Sequence, residues 1–422
     1  MSAVSSSLGL RHPPLALRNV SQGGRKSLAA ISGAAFSLTM VLLQLGFLQA
    51  VRITATNNFD QLDFDVVLLS SRYEQFYAPG FLPLERLRQA RNVDSVVSAT
   101  PLYASFGLWR CPPYPLAPSS SAAGADSESQ PGPVSRWLAG ARIRRPLQRR
   151  ELFVMGFDLD HPPFRPPILG SIESARPLLR LRDRVLMNEL SHPDFGWPLR
   201  DQYKDWELGS KAVTIVGGFR MLRGFAADAT VLCSDLNFVR LCDYGSTETT
   251  NFGLLKVRPG TVDATVRELR SILPDDVQAL SRQDILARED DHWVNQTSTG
   301  KLFAFGVLVA MVVAAVVVYQ VLSNDVREHL PEYATLKAMG YSTSRLASIV
   351  VVQSLIYMVI SFFVGVLIAI IVYKATQELA GIPMRMTMEN LGVTLLLAVV
   401  VGVSTGLLTI GRLRRADPAE LF

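Results

Sequence analysis

Within the four longest apolar runs of this chain, Leu28–Val51, Phe303–Leu322, Leu346–Val372 and Leu391–Ile410, there is no Asp, Glu, Lys, Arg or His. A charge at mid-bilayer costs at least about 2.5–3.5 kcal/mol, and an ion-coupled carrier needs such groups to hold its ion. Their absence disfavours a proton- or sodium-driven carrier. The chain also lacks a Gly-x-x-x-x-Gly-Lys-Ser/Thr loop, the nearest fragment being Thr299-Gly300-Lys301, so nucleotide hydrolysis falls to another subunit. The five histidines are scattered without metal-ligand spacing, and no Gly-x-Ser-x-Gly elbow is present. Glu289-Asp290-Asp291-His292 is an acidic cluster, but consecutive helical residues point in different directions and do not converge on a cation. A soluble enzyme merely tethered by spans is therefore a poor reading.

What is present is apolar length. Each run reaches the roughly 20 residues needed to cross about 30 Å of hydrocarbon. The first run is too long for the core of a cleaved signal and reads as an uncleaved anchor. Residues 1–26 carry Arg11, Arg18, Arg25 and Lys26 without an acid, the last residues carry Arg412, Arg414 and Arg415, and the 323–345 connector carries Arg327, Lys337 and Arg345. The loop between the last two spans has only Lys374 and Arg385. The positive-inside rule places both termini and the connector in the cytosol of a multi-pass plasma (inner) membrane protein. The net charge of +5 is then a topology signal, with no need for nucleic acid.

The expected fold class is a four-span α-helical membrane protein with a large α+β extracytoplasmic domain between spans 1 and 2. Its parts are a tail to residue 26, spans at 27–51, 301–322, 346–373 and 391–411, the outer domain at 52–300, the connector at 323–345, an outer loop at 374–390 and a tail from 412. About 250 outer residues suffice for a core of their own. Short β-branched and aromatic runs there, Phe64–Ser70, Val93–Ala99, Leu152–Phe157, Ala212–Phe219, Thr230–Cys233 and Phe252–Val257, read as strands, and Leu84–Ala90, Thr261–Leu273 and Arg282–Trp293 as helices. The last helix is expected to run nearly unbroken into span 2. Residues 112–150 form a Pro/Ser-rich, then basic, insertion. All three cysteines, Cys111, Cys233 and Cys242, fall in the outer domain; Cys233 with Cys242 is the candidate disulfide, two reduced thiols the alternative.

In span 1, Gly33, Ala34 and Ala35 suit close packing, and Gln44 and Gln49 are expected to face protein. Gly402 and Gly406, spaced four apart, offer a face for dimer packing, as do Ala310 and Ala314. The connector carries a short polar helix. Pro331 suits its first turn, Glu332 and Lys337 match its dipole, Gly340 stops it, and Tyr333, Leu336 and Met339 lie along one side. A charged helix between two spans is either a solvated connector or the handle of an external motor.

The segment YQVLSNDVREHLPEYATLKAMGYS, Tyr319–Ser342, resembles the DevC family of cyanobacterial ABC exporter permeases, within the MacB/FtsX-type group. AAFSLTMVLLQLGF at Ala34–Phe47, GGFRMLRGFAADATVLCSDLNFVRL at Gly217–Leu241, Asp276–Trp293 and the terminal RRADPAELF support it; the 112–150 insertion departs from the family pattern. The resemblance implies a homodimeric permease without cofactor of its own, served by a separate DevA-like ABC ATPase, a periplasmic DevB-like adaptor and a TolC-like outer-membrane duct. It further implies export of a lipid, glycolipid or other amphiphile, with Glu332, Tyr333, Leu336, Lys337, Met339 and Gly340 as the ATPase-coupling contacts. The alternative, within the same wider group, is an FtsX-like transducer that regulates an outer partner and transports nothing. Leu336→Asp or Glu332→Lys is expected to insert normally yet lose co-purification with the ATPase and its stimulation in vesicles; unchanged binding and stimulation would refute the coupling role.

Overall fold

The computed structural model describes residues 24–110, 149–192, 195–196, 206–224, 226–244, 248–328, 335, 339, 342–380 and 382–414. The chain divides into two units, Ile53–His292 and the remainder on either side of it.

Among the described residues, four helices are long and apolar enough to cross a membrane: α1 (Gly24–Asp60), and, after the outer domain, three further helices whose apolar parts are Ser298–Gln320, Ser348–Glu378 and Met388–Leu408. The outer domain between the first and second of them is α+β. In chain order it contains β1 (Val66–Ser70), β2 (Leu82–Pro83), α2 (Leu84–Arg91), β3 (Val96–Arg110), β4 (Arg149–Phe157), α3 (Ile168–Leu179), β5 (Arg184–Asn188), β6 (Trp206–Leu208), β7 (Lys211–Phe219) and β8 (Thr230–Ser234). Then follow α4 (Asp235–Leu241), β9 (Thr249–Thr250), β10 (Phe252–Val257), α5 (Val262–Ile272), β11 (Val277–Ser281) and α6 (Arg282–Asp291). A five-residue π-helix (His292–Gln296) precedes α7 (Ser298–Glu328), α8 (Thr343–Ala380) and α9 (Met388–Arg414).

Nine strands form one sheet in the order β11-β1-β10-β3-β4-β8-β5-β7-β6. β6 also pairs with β3, Trp109 opposite Leu208, so β3, β4, β8, β5, β7 and β6 close on themselves. Closure removes the exposed edge that β6 would otherwise present. Side chains alternate between two cores, as a two-residue period demands. Leu152 and Val154 of β4 join Trp109, Trp206 and Phe238, while Phe153, Met155 and Phe157 join Phe59, Phe76 and Phe252. β3 is far longer than the run Val93–Ala99 suggested, because Tyr103–Arg110 is held by the full length of β4. Of the 112–150 insertion only Arg149 and Arg150 are described, as the start of β4.

In the helical unit, small residues set the approach distances. A Cβ placed on Gly406 would lie 2.9 Å from Val351 Cα, and one on Gly402 3.2 Å from Met358 Cγ. Ser354 Oγ donates to the Gly402 carbonyl at 2.7 Å and lies 3.1 Å from Thr405 Oγ1. The pair of glycines expected to face a second copy is thus spent on packing α9 against α8 of the same chain. Ala310 and Ala314 are likewise buried, Ala314 in a cluster with Ala34, Tyr357 and Ala398. Gln44 lies over Gly306, so it does face protein; Gln49 is half-buried.

The lead into the second apolar helix differs from the continuous helix expected. α6 gives way to the π-helix, Thr297 interrupts the helical path, and α7 starts at Ser298. Thr297 Oγ1 donates to Trp293 O at 2.6 Å, and a Cβ on Gly300 would sit 1.9 Å from Val294 O. Only glycine allows that approach, and the interrupted backbone relies on the threonine hydroxyl for a partner. Gly406→Ile should lower the melting temperature of the detergent-solubilised protein, because overpacking costs about 1–3 kcal/mol. Gly392→Ala, where a Cβ meets nothing within 4 Å, should leave it unchanged or slightly raised. Equal melting of both variants would argue against the α8–α9 contact.

Candidate transmission site

Of the connector residues expected to contact a motor, Glu332, Tyr333, Leu336, Lys337 and Gly340 lie outside the described residues. Met339 is 63% exposed, and its N–H donates to Thr335 O at 3.0 Å, the i to i−4 bond of one α-helical turn.

The site that the described residues do assemble lies in the outer domain, where its first and last segments meet. β1 follows closely on α1 and β11 directly precedes α6, and the two strands are antiparallel neighbours with Val66 opposite Ser281. The chain therefore enters and leaves the domain side by side. Ser281 caps α6 by accepting the Asp284 N–H at 3.1 Å. The next residue, Arg282, turns its guanidinium onto the end of α1: Nη1 donates to Leu62 O at 2.9 Å, and Nη2 to Phe59 O at 3.1 Å and Asp60 Oδ1 at 3.3 Å. A cation there adds a second donor to the Phe59 carbonyl, which also accepts the Leu62 N–H, bonds the Leu62 carbonyl just past the helix, and complements the dipole. The same guanidinium stacks 4.9 Å from the Phe64 ring, and burial, reinforced by Arg165, draws its pKa down.

A second set of contacts runs through residues 70–77. Phe59, at the end of α1, meets Phe76 edge-on at 4.9 Å and Phe252 at 5.7 Å. From the other side, Glu289 of α6 is fully buried, taking the Tyr73 hydroxyl on Oε1 and the Phe76 N–H on Oε2 at 3.4 Å. Burial, then the nearby Glu289 carboxylate, pushes the Tyr73 phenol well above its ordinary pKa, so it keeps its proton and acts as donor. Arg288 donates to Tyr73 O at 2.8 Å and lies 5.1 Å over its ring. One loop thus grips both α1 and α6.

Nothing in this arrangement is a nucleophile or a general base in a cleft; it is a clamp. Among the described residues no three His, Cys, Asp or Glu side chains gather as a metal site requires. Sequence reasoning gave Arg282 no role beyond opening a helix and weighed Glu289 only as part of an acidic cluster. The available signal was the i, i+4 relation of Ile285 and Glu289, which puts the glutamate on the same face as a fully buried isoleucine.

The expected disulfide is absent: Cys233 and Cys242 are both free thiols. Cys233 sits in the interior strand β8 with its Sγ 3.8 Å from Met155 O, and Cys242 follows α4 as its C-cap. Burial raises the Cys233 thiol well above its ordinary pKa, and burial with the neighbouring Asp243 pushes Cys242 up to about 12. Both are protonated at neutral pH and hence poor nucleophiles. The stability they contribute as neutral groups is complete below the unfolded thiol value of about 8.5 and is lost as pH rises from there to the folded value.

Residues 304–418 match the family model described as FtsX-like permease C-terminal. The matched stretch includes most of α7 and all of α8 and α9. No curated protein matches the chain. Among solved structures, the extracellular domain of the noncanonic ABC-type transporter YknZ from Gram-positive bacteria aligns at 10% identity and TM-score 0.29, over 51% of this chain and 98% of that one. The periplasmic region of MacB from Actinobacillus actinomycetemcomitans aligns at 8% identity and TM-score 0.31, over 54% and 94%. Likenesses this distant carry no argument.

Tyr73→Phe removes the hydroxyl from a fully buried carboxylate and is expected to destabilise the outer domain by about 1–3 kcal/mol. The fall should appear as a lower urea midpoint for the full chain in detergent. An unchanged midpoint would show that Glu289 does not depend on Tyr73.

Proposed function

We propose that this chain is the membrane subunit of an ATP-driven ABC exporter of the DevC kind. The 304–418 match to an FtsX-like permease region carries the reading, because that region encloses the connector between the second and third apolar helices. ATP is bound and hydrolysed by a separate cytosolic subunit that grips the connector through Glu332, Tyr333, Leu336, Lys337, Met339 and Gly340. The permease works as a homodimer in the inner membrane with both termini in the cytosol. Its outer domain passes the stroke to a periplasmic adaptor and an outer-membrane duct, and the cargo is a lipid, glycolipid or other amphiphile.

The clamp supports this reading physically. A domain that has to follow the motion of membrane helices needs its two attachments held together, or the motion is absorbed locally. Arg282, Glu289 and Phe59 provide that hold within the outer domain. The test is comparative lipid analysis of a strain lacking this chain, alongside purification of the tagged chain. The expected result is loss of one amphiphile from the outer envelope and co-purification of an ABC ATPase. An unchanged lipid profile with altered wall-hydrolase activity would replace export by regulation, and failure to recover any ATPase would overturn both.

A further inference from the structure

The first and third apolar helices are joined by side-chain hydrogen bonds spread over residues 27–42 of one and 357–373 of the other. Ser27 Oγ lies 3.0 Å from Tyr357 OH, and Ser361 Oγ donates to Ile31 O at 3.1 Å. Thr39 Oγ1 shares its proton between Ala35 O at 2.8 Å and Gly365 O at 3.3 Å, and Tyr373 OH donates to Leu42 O. The Ser27–Tyr357 and Ile31–Ser361 pairs are both 330 residues apart, Leu42–Tyr373 331 and Thr39–Gly365 326, so α1 and α8 run parallel with partners within about one helical turn of a common offset. Glycine brings the backbones together: a Cβ on Gly365 would lie 3.1 Å from Ala35 O and 3.5 Å from Leu38 Cβ.

These bonds lie in an apolar phase, where no water replaces a bond broken by sliding. Shear between α1 and α8 would strand several polar groups at once. Between α1 and α7 the packing shows Phe47 stacked on Phe303 at 5.2 Å, Gly33 facing Val317 and Gln44 lying over Gly306.

The two helical leads also differ in their backbone. α1 is an uninterrupted α-helix from Gly24 to Asp60, about 55 Å at 1.5 Å per residue. The lead through α6 and α7 is broken by the π-helix and Thr297. α8, for its part, begins at Thr343, within the last residues of the connector.

Building on the transmission role proposed above, we infer that α1 and α8 move as one body and carry the stroke from the connector to the outer domain, with Tyr357, Ser361 and Tyr373 as the positioning residues. The lead through the π-helix is the compliant side. The stroke enters α8, passes sideways through the hydrogen-bonded contact into α1, and reaches the outer domain at Phe59, where Arg282 and Phe76 receive it.

The test uses the full chain with its ATPase in proteoliposomes. A Leu38→Cys/Gly365→Cys pair meets the Cβ separation of about 3.5–4.5 Å that a disulfide needs. In a Cys111→Ala background, Val97→Cys, 67% exposed in the outer domain, carries a bimane attached after oxidation. The oxidised form should keep its ATP-dependent bimane response; loss on oxidation with recovery on reduction would overturn the proposal. Tyr357→Phe/Ser361→Ala/Tyr373→Phe should hydrolyse ATP normally with a several-fold smaller response per ATP, and a full response would equally overturn it. This triple variant decides the matter if the cysteine pair does not insert. If the unmodified chain neither stimulates hydrolysis nor responds to ATP, the transmission reading itself fails, an outcome distinct from either.

Discussion

The guanidinium of Arg282 on the last carbonyls of α1 is the contact on which the outer domain depends. Carbonyls at and just beyond a helix end lack full intrahelical partners and take them from elsewhere in the fold. Arg282 bonds the Phe59 carbonyl, beside the Leu62 N–H, and the Leu62 carbonyl just past the helix, and balances Asp60, from a position fixed by the pairing of β11 with β1. Because the donor belongs to the departing segment and the acceptors to the arriving one, the same bonds that finish a helix also tie the two attachments together. The aromatic contacts of Phe59 and the Tyr73–Glu289 bond then have fixed backbones to work from.

A second constraint governs the apolar helices. In hydrocarbon each polar side chain needs a protein partner, and close backbone approach is the cheapest way to supply one. Gly365, Gly402 and Gly406 provide the approach, and Thr39, Ser354 and Ser361 use it to reach carbonyls on a neighbouring helix. α8 is the hub, bonded to α1 on one side and to α9 on another. Its hydroxyls are fully or nearly buried at Ser354, Tyr357 and Ser361, whereas Leu367 and Phe363 turn outward. The polar stripe is therefore a packing code within a helix whose overall hydropathy hides it.

The apolar helices and several outer elements are legible in the residue order, because length and period are local properties. Phe252–Val257 is a strand between its anticipated ends, and Leu84 begins a helix where the pattern breaks. Glu289 was not legible. Flanked by three other polar residues, it reads as part of a solvated face, and only the loop that folds over it makes it a fully buried acceptor. The cysteines mislead for the opposite reason: a shared compartment and a nine-residue separation suit a bridge, yet strand β8 and the end of α4 hold both as thiols within one core.

From the sequence alone come four membrane-length apolar runs, a large domain after the first of them, and a charged connector after the second, since each follows from composition over a window of neighbours. Tertiary packing alone assigns the partners. It turns Gly402 and Gly406 toward α8 of the same chain, closes β6 onto β3, and puts Arg282 onto a helix more than two hundred residues earlier. Such choices depend on which surfaces meet, and residues this far apart in the chain leave no periodic trace of meeting.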